Sequence, residues 1–103
     1  MRIYGLKNCD TCRKALKSLA GAELVDVRAT PLSAQQLETF LAEFGEALVN
    51  RRSTTWRGLD DTARARSPQD LLTKYPALMR RPVIEAGDKL YLGWGKDVQA
   101  ALG

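Results

Sequence analysis

Tyr4-Gly5-Leu6-Lys7-Asn8-Cys9-Asp10-Thr11-Cys12-Arg13-Lys14 contains both cysteines of the chain, with two residues between them. The stretch lies where an apolar run, Arg2-Ile3-Tyr4-Gly5-Leu6, gives way to the helical spacing of Ala15, Leu16, Leu19 and Ala20. A cysteine at the start of a helix faces unpaired backbone N–H groups and the positive end of the helix dipole. Both favour thiolate over thiol. Lys7, Arg13 and Lys14 add positive charge nearby.

Working outward, residues 1–6 read as a strand and 11–20 as a helix ended by Gly21. Residues 23–28, Glu-Leu-Val-Asp-Val-Arg, alternate as a second strand does. Ser33 followed by Gln36 fits a capping box. It opens a helix through about Phe44 with Leu37, Phe40, Leu41 and Phe44 on one stripe, and Gly45 closes it. A short buried turn at 47–49 and an arginine- and threonine-rich loop at 51–58 follow, and 59–66 is compatible with a short helix. Ser67-Pro68 with Asp70 marks another helix start. That helix runs to Tyr75, and an apolar turn follows at 77–79. Residues 82–86 and 89–92 are two strands joined by Gly87-Asp88. Residues 96–102 form a last helix.

The order β-α-β, helices, β-hairpin, helix, with a C-x-x-C at the first strand-to-helix junction, is that of an α/β thioredoxin-like fold. The expectation is one domain over 1–103, a mixed four-stranded sheet with a helical subdomain inserted at about 33–79.

Composition limits the classes of function. At 103 residues, 45% hydrophobic and 27% charged, the chain has the make-up of a single globular domain. It has no run of the roughly 18 apolar residues that crosses a bilayer, and no secretory signal pattern. The expected compartment is the cytoplasm, where a C-x-x-C is more often catalytic or metal-binding than structural. The net charge of +4 gathers arginines in the second half, at 51, 52, 57, 64, 66, 80 and 81. They are a solvated surface or a face for anions and acidic partners. The aromatic and basic density of a nucleic-acid binder is absent, so direct DNA binding is not expected. With no histidine, any acid–base chemistry falls to other groups.

In a C-x-x-C redox pair the first cysteine, here Cys9, is the nucleophile, and Cys12 is placed to attack a mixed disulfide. Two bland readings stand beside this one. The pair can be two incidental buried residues, or half of a zinc site, which one chain with no histidine and no second cysteine pair cannot complete. No metal or bound cofactor is expected. Arg81-Pro82 is the second feature. Thioredoxin-like sites carry a cis-proline beside the cysteines at the start of the third strand, where Pro82 falls. An ordinary trans-proline opening an edge strand fits equally well. In the cis arrangement Arg81 would project near the cysteines, able to stabilise a thiolate or bind an oxyanion.

Three motifs carry a resemblance over nearly the whole chain. They are Tyr4 to Ala15, then Asn50-Arg51-Arg52-Ser53-Thr54-Thr55-Trp56-Arg57, and Arg80-Arg81-Pro82-Val83-Ile84. The chain resembles the arsenate reductase-like (ArsC/Spx) family, and within it the small YffB-like branch. The resemblance implies a catalytic set of Cys9, Cys12 and Arg81, with Asn8, Arg51, Arg52 and Pro82 around the substrate. It implies glutathione as co-substrate, or a protein thiol or disulfide, with glutaredoxin as a further redox partner. Arsenate reductases of this family hold the oxyanion with three arginines. Arg81 matches one; Asn50, with Arg51 beside it, stands at the second, and Leu90-Tyr91-Leu92 where the third would be. The C-x-x-C followed by Arg-Lys-Ala resembles the Spx regulators, longer proteins that bind RNA polymerase and use the pair as a disulfide switch. The expected function is a thiol–disulfide oxidoreductase, with arsenate reduction and redox-dependent polymerase binding as alternatives.

Overall fold

The computed structural model describes residues 1–102. Four strands form one mixed sheet: β1 (Arg2–Gly5), β2 (Glu23–Asp26), β3 (Val83–Ala86) and β4 (Lys89–Leu92), in the order β2-β1-β3-β4. β1 runs parallel to β2 with Gly5 opposite Asp26, and antiparallel to β3 with Tyr4 opposite Val83. The β3–β4 hairpin turns at Gly87, whose φ of 65° is a left-handed conformation that glycine adopts without strain. The sheet is the expected thioredoxin-like one, with a helical segment between β2 and β3 in chain order.

The described residues divide into two compact units, one of residues 1–30 with residues 81 onward and one of 31–80. In the first, α1 (Asp10–Ser18) and α6 (Lys96–Leu102) flank the sheet. Ala15 and Leu19 with Val98 close over Ile3 and Ile84, and Leu16, Leu24, Tyr91 and Trp94 surround them. Ile3 and Ile84 face each other across β1 and β3, so this one pair joins both strands to both helices. Burying side chains of this size contributes about 1.5–3 kcal/mol each.

In the second unit, α2 (Ala34–Phe44) carries the predicted capping box. Ser33 Oγ accepts from the Gln36 amide at 3.1 Å, and Gln36 Oε1 accepts from the Ser33 amide at 2.9 Å. Gly45 ends the helix at φ 59°. Short 3-10 turns cover Gly45–Leu48 and Pro76–Leu78, and α5 (Pro68–Lys74) packs against α2. Leu37, Phe40, Leu48, Leu71 and Leu78 are all buried.

Two segments depart from the sequence expectation, and a third holds the short helix that the sequence allows. The loop at 51–58 contains a single-turn helix, α3 (Thr54–Arg57), because Ser53 Oγ accepts from the Trp56 amide at 3.1 Å. The uncertain 59–66 segment holds another, α4 (Asp61–Arg64), capped in the same way by Asp60 on the Ala63 amide. Strand β2 stops at Asp26 rather than Arg28, since the Asp26 carboxylate accepts the Arg28 and Ala29 amides and turns the chain.

Replacing Ser33 with Ala removes an acceptor from the start of α2 and is expected to lower unfolding free energy by about 1 kcal/mol. The measurement is the urea midpoint, which should fall at unchanged slope. A midpoint equal to wild type would show that water replaces the cap at no cost.

Candidate active site

The site is assembled at the end of β1. Past Gly5 the chain leaves the sheet through an exposed turn at Lys7 and Asn8, and Cys9 caps α1. Cys9 has extended backbone angles, φ −91° and ψ 120°, so its carbonyl opens the helix while its sulfur stays outside the first turn. Its N–H donates to the Leu6 carbonyl at 3.1 Å, closing the turn before it. Cys12 is one helical turn further on, with no solvent exposure. Both cysteines are free thiols, Cys9 half-buried and Cys12 buried.

Cys12 is seated against the backbone of Gly5. A Cβ on residue 5 would overlap Cys12 Sγ and come within 3.3 Å of Cys12 Cβ. The sulfur therefore occupies the space a side chain in β1 would take. Sequence reading did not single out this glycine for the site, although a glycine inside a strand is itself a signal of close approach.

The Arg81–Pro82 peptide is cis, which decides the alternative the sequence left open. Pro82 is buried, immediately before β3, and its carbonyl accepts from the Gly93 amide at 2.8 Å. Arg81 is half-buried, and its guanidinium reaches the Cys9 sulfur by hydrogen bond and by charge. Cys9, Cys12, Arg81 and Pro82 are therefore brought together, with Asn8 exposed beside them. Arg51 and Arg52 belong to the other compact unit. There Arg51 pairs with Glu46 at 3.6 Å and lies over the Trp56 ring at 5.5 Å. The Arg52 amide donates to Asn50 Oδ1 at 3.1 Å.

The ionisation of the two sulfurs is shifted in opposite directions. At Cys9 burial is the largest single influence and opposes ionisation. The Cys12 amide N–H, the Cys12 thiol and Arg81 together outweigh it, so its pKa lies below the ordinary cysteine value. Cys12 is pushed up to about 11, first by burial and then by the hydrogen bond and negative charge of Cys9. The Leu6 amide and Arg81 offset this only in part. Such a pair can present one thiolate to solvent with a protonated thiol behind it. Among the described residues no three metal-ligating side chains converge.

A thiol-alkylation rate measured against pH should show Cys9 reacting with an inflection below the ordinary value of about 8.5. Cys12 should react only in a separate step near 11. Arg81→Met removes a cation that favours the thiolate, so the Cys9 inflection moves up and its rate at pH 7 falls. An inflection unchanged by that substitution would contradict the role of the guanidinium.

Comparison with known proteins finds similarity over nearly the whole length. A Haemophilus influenzae protein described only as uncharacterized is 39% identical, the match covering 96% of each chain. The solved structure of a protein named YFFB superposes with a TM-score of 0.87 at 31% identity, covering 98% of this chain and 96% of that one. The global transcriptional regulator Spx of Bacillus subtilis is 29% identical over 92% of this chain and 80% of its own length. The ArsC family pattern matches residues 4–102, and the chain belongs to the ArsC family.

Proposed function

We propose that the protein is a thiol–disulfide oxidoreductase of the cytoplasm that uses Cys9 as nucleophile and glutathione as reductant. One observation carries the reading: a half-exposed sulfur with a lowered pKa, beside Arg81 and cis-Pro82, in front of a fully buried partner. The Cys9 thiolate attacks one sulfur of a substrate disulfide, forming a mixed disulfide. The other substrate sulfur leaves as a thiolate and takes a proton from water. A glutathione thiolate then attacks the Cys9 sulfur, releasing the second substrate thiolate and leaving a Cys9–glutathione disulfide. A second glutathione thiolate attacks its glutathione sulfur, freeing the Cys9 thiolate and forming glutathione disulfide, so that two glutathione thiols supply the two electrons.

Resolution by glutathione is favoured over resolution by Cys12 for a physical reason. Forming the mixed disulfide removes the Cys9 charge, and with it part of what holds Cys12 protonated. Burial, the largest contribution, remains. Cys12 therefore stays a poor thiolate when it would be needed. The family's arsenate chemistry is a weaker reading, because no arginine follows Arg81 in the chain. Each charge-assisted hydrogen bond to an oxyanion contributes about 1.5–3 kcal/mol, so a missing arginine weakens binding at least tenfold. The test is turnover of glutathione mixed disulfides, protein disulfides and arsenate by wild type, Cys9→Ser and Cys12→Ser. Cys9→Ser should lose all activity and Cys12→Ser should keep most of its glutathione-dependent activity. Loss in both variants would assign resolution to Cys12, and absence of turnover in wild type would remove the enzyme reading.

The similarity to Spx supports a second reading. A Cys9–Cys12 disulfide would act as a switch, and the exposed arginines of residues 51–66 would meet an acidic partner such as RNA polymerase. Capture of polymerase by reduced and by oxidised protein should then differ several-fold. Equal recovery from both forms rules the switch out.

A further inference from the structure

The turn that presents Cys9 is tied on both sides of one residue, Lys7. β1 and β2 pair as far as Gly5 and Asp26, and the Val27 amide donates to the Gly5 carbonyl at 2.9 Å. A parallel ladder would continue with the Lys7 amide on the Val27 carbonyl. The Lys7 amide donates instead to Oδ2 of Asp26, at 3.0 Å. From the opposite side, Arg13 Nε donates to the Lys7 carbonyl at 2.9 Å. Asn8 and Cys9 follow directly, and neither of these bonds belongs to a helix or strand ladder.

We infer that Asp26, assisted by Arg13, is a positioning residue that sets where the Cys9 sulfur lies relative to Arg81 and the start of α1. A carboxylate needed only to turn the chain after β2 would use one oxygen. Oδ1 does that, accepting Arg28 and Ala29 at 2.9 and 3.2 Å. Oδ2 is given to a residue 19 positions away, at the point where β1 leaves the sheet. The carboxylate thus replaces the next rung of the ladder and releases the chain into the cysteine turn. The same bonds hold the Asp26 carboxyl below its ordinary pKa, the Lys7 amide contributing most. The inference rests on Cys9 as the reactive thiol, but not on any substrate.

Asp26→Asn tests it with a readout whose sign separates position from charge. An amide can accept through one atom only. If it keeps the two turn bonds, its NH2 group faces the Lys7 N–H, donor against donor, and the cysteine turn is released. The Cys9 inflection in the alkylation profile should then rise by about half a unit, cutting the thiolate-to-thiol ratio about threefold. Loss of a negative charge acting alone would shift it the other way, since nearby anions disfavour a thiolate. A lowered or unmoved inflection in folded variant overturns the inference. Should circular dichroism show the variant unfolded, amide hydrogen exchange of the wild type decides. Lys7 should exchange at least about tenfold more slowly than Asn8, and equal rates would overturn the inference. Neither readout involves turnover, so an inactive but correctly tuned Cys9 would defeat the proposed function alone.

Discussion

The pairing of β1 with β3 is the constraint on which the rest depends. Its antiparallel register sets Ile3 against Ile84 and Tyr4 against Val83. The next step outward therefore brings Pro82 alongside Gly5, and Arg81 beyond it. This is the end of β1 from which the chain turns into α1 and delivers Cys9. A slip of β3 by one residue would turn Ile84 away from α1 and α6 and reverse every side chain of that strand. It would also carry Arg81 off the sulfur. The pairing that encloses the apolar core is thus the pairing that sets the guanidinium beside the thiol. The two cannot be varied separately.

At the site, depth does the work that a histidine does elsewhere. Two identical side chains one helical turn apart would titrate alike in water. Here Cys12 is sealed against the Gly5 backbone, and the cost of burying a charge keeps its proton in place. The proton then serves as a donor toward Cys9, so the disfavoured charge at one sulfur becomes stabilisation at the other. Arg81 favours the charged form of both, at Cys9 by hydrogen bond as well as by charge. A lower pKa also reduces intrinsic nucleophilicity, so a modest depression suits attack near neutral pH better than an extreme one.

Local chemistry made much of this legible. Ser33 with Gln36 and Ser67 with Pro68 announce helices because their hydrogen bonds close within four residues. Cys9 and Cys12 announce a site because their spacing and flanking charge are local too. What escaped depends on residues far apart in the chain. The end of β2 is set by how one carboxylate divides its oxygens between its own turn and Lys7. The cis form of Pro82 is compatible with the same residues as the trans form, and only the assembled sheet distinguishes them. The close approach of Cys12 to Gly5 needs α1 laid against β1 before it exists. The helix of residues 54–57 is a different kind of miss. One turn of helix is too short to show a period.

The arginines show why a count of charges is a poor guide to anion binding. Arg64 spends its Nε and Nη2 donors on the carbonyls of Trp56 and Arg57 and lies 5.5 Å from the Trp56 ring. Arg51 shares that ring and pairs with Glu46. Arg80 donates through Nε to the Ala47 carbonyl at 3.0 Å. A guanidinium has five N–H donors in a fixed plane, so each one committed to a carbonyl is withdrawn from an oxyanion that needs the same fork. Redirecting any of the three would leave a carbonyl, a ring or a carboxylate without its partner. Arg52, Arg57 and Arg66 are exposed, where the gain from pairing is small and screened by salt. Of the seven arginines in the second half of the chain, Arg81 is the one set against a nucleophile, and the chemistry of the chain is weighted accordingly.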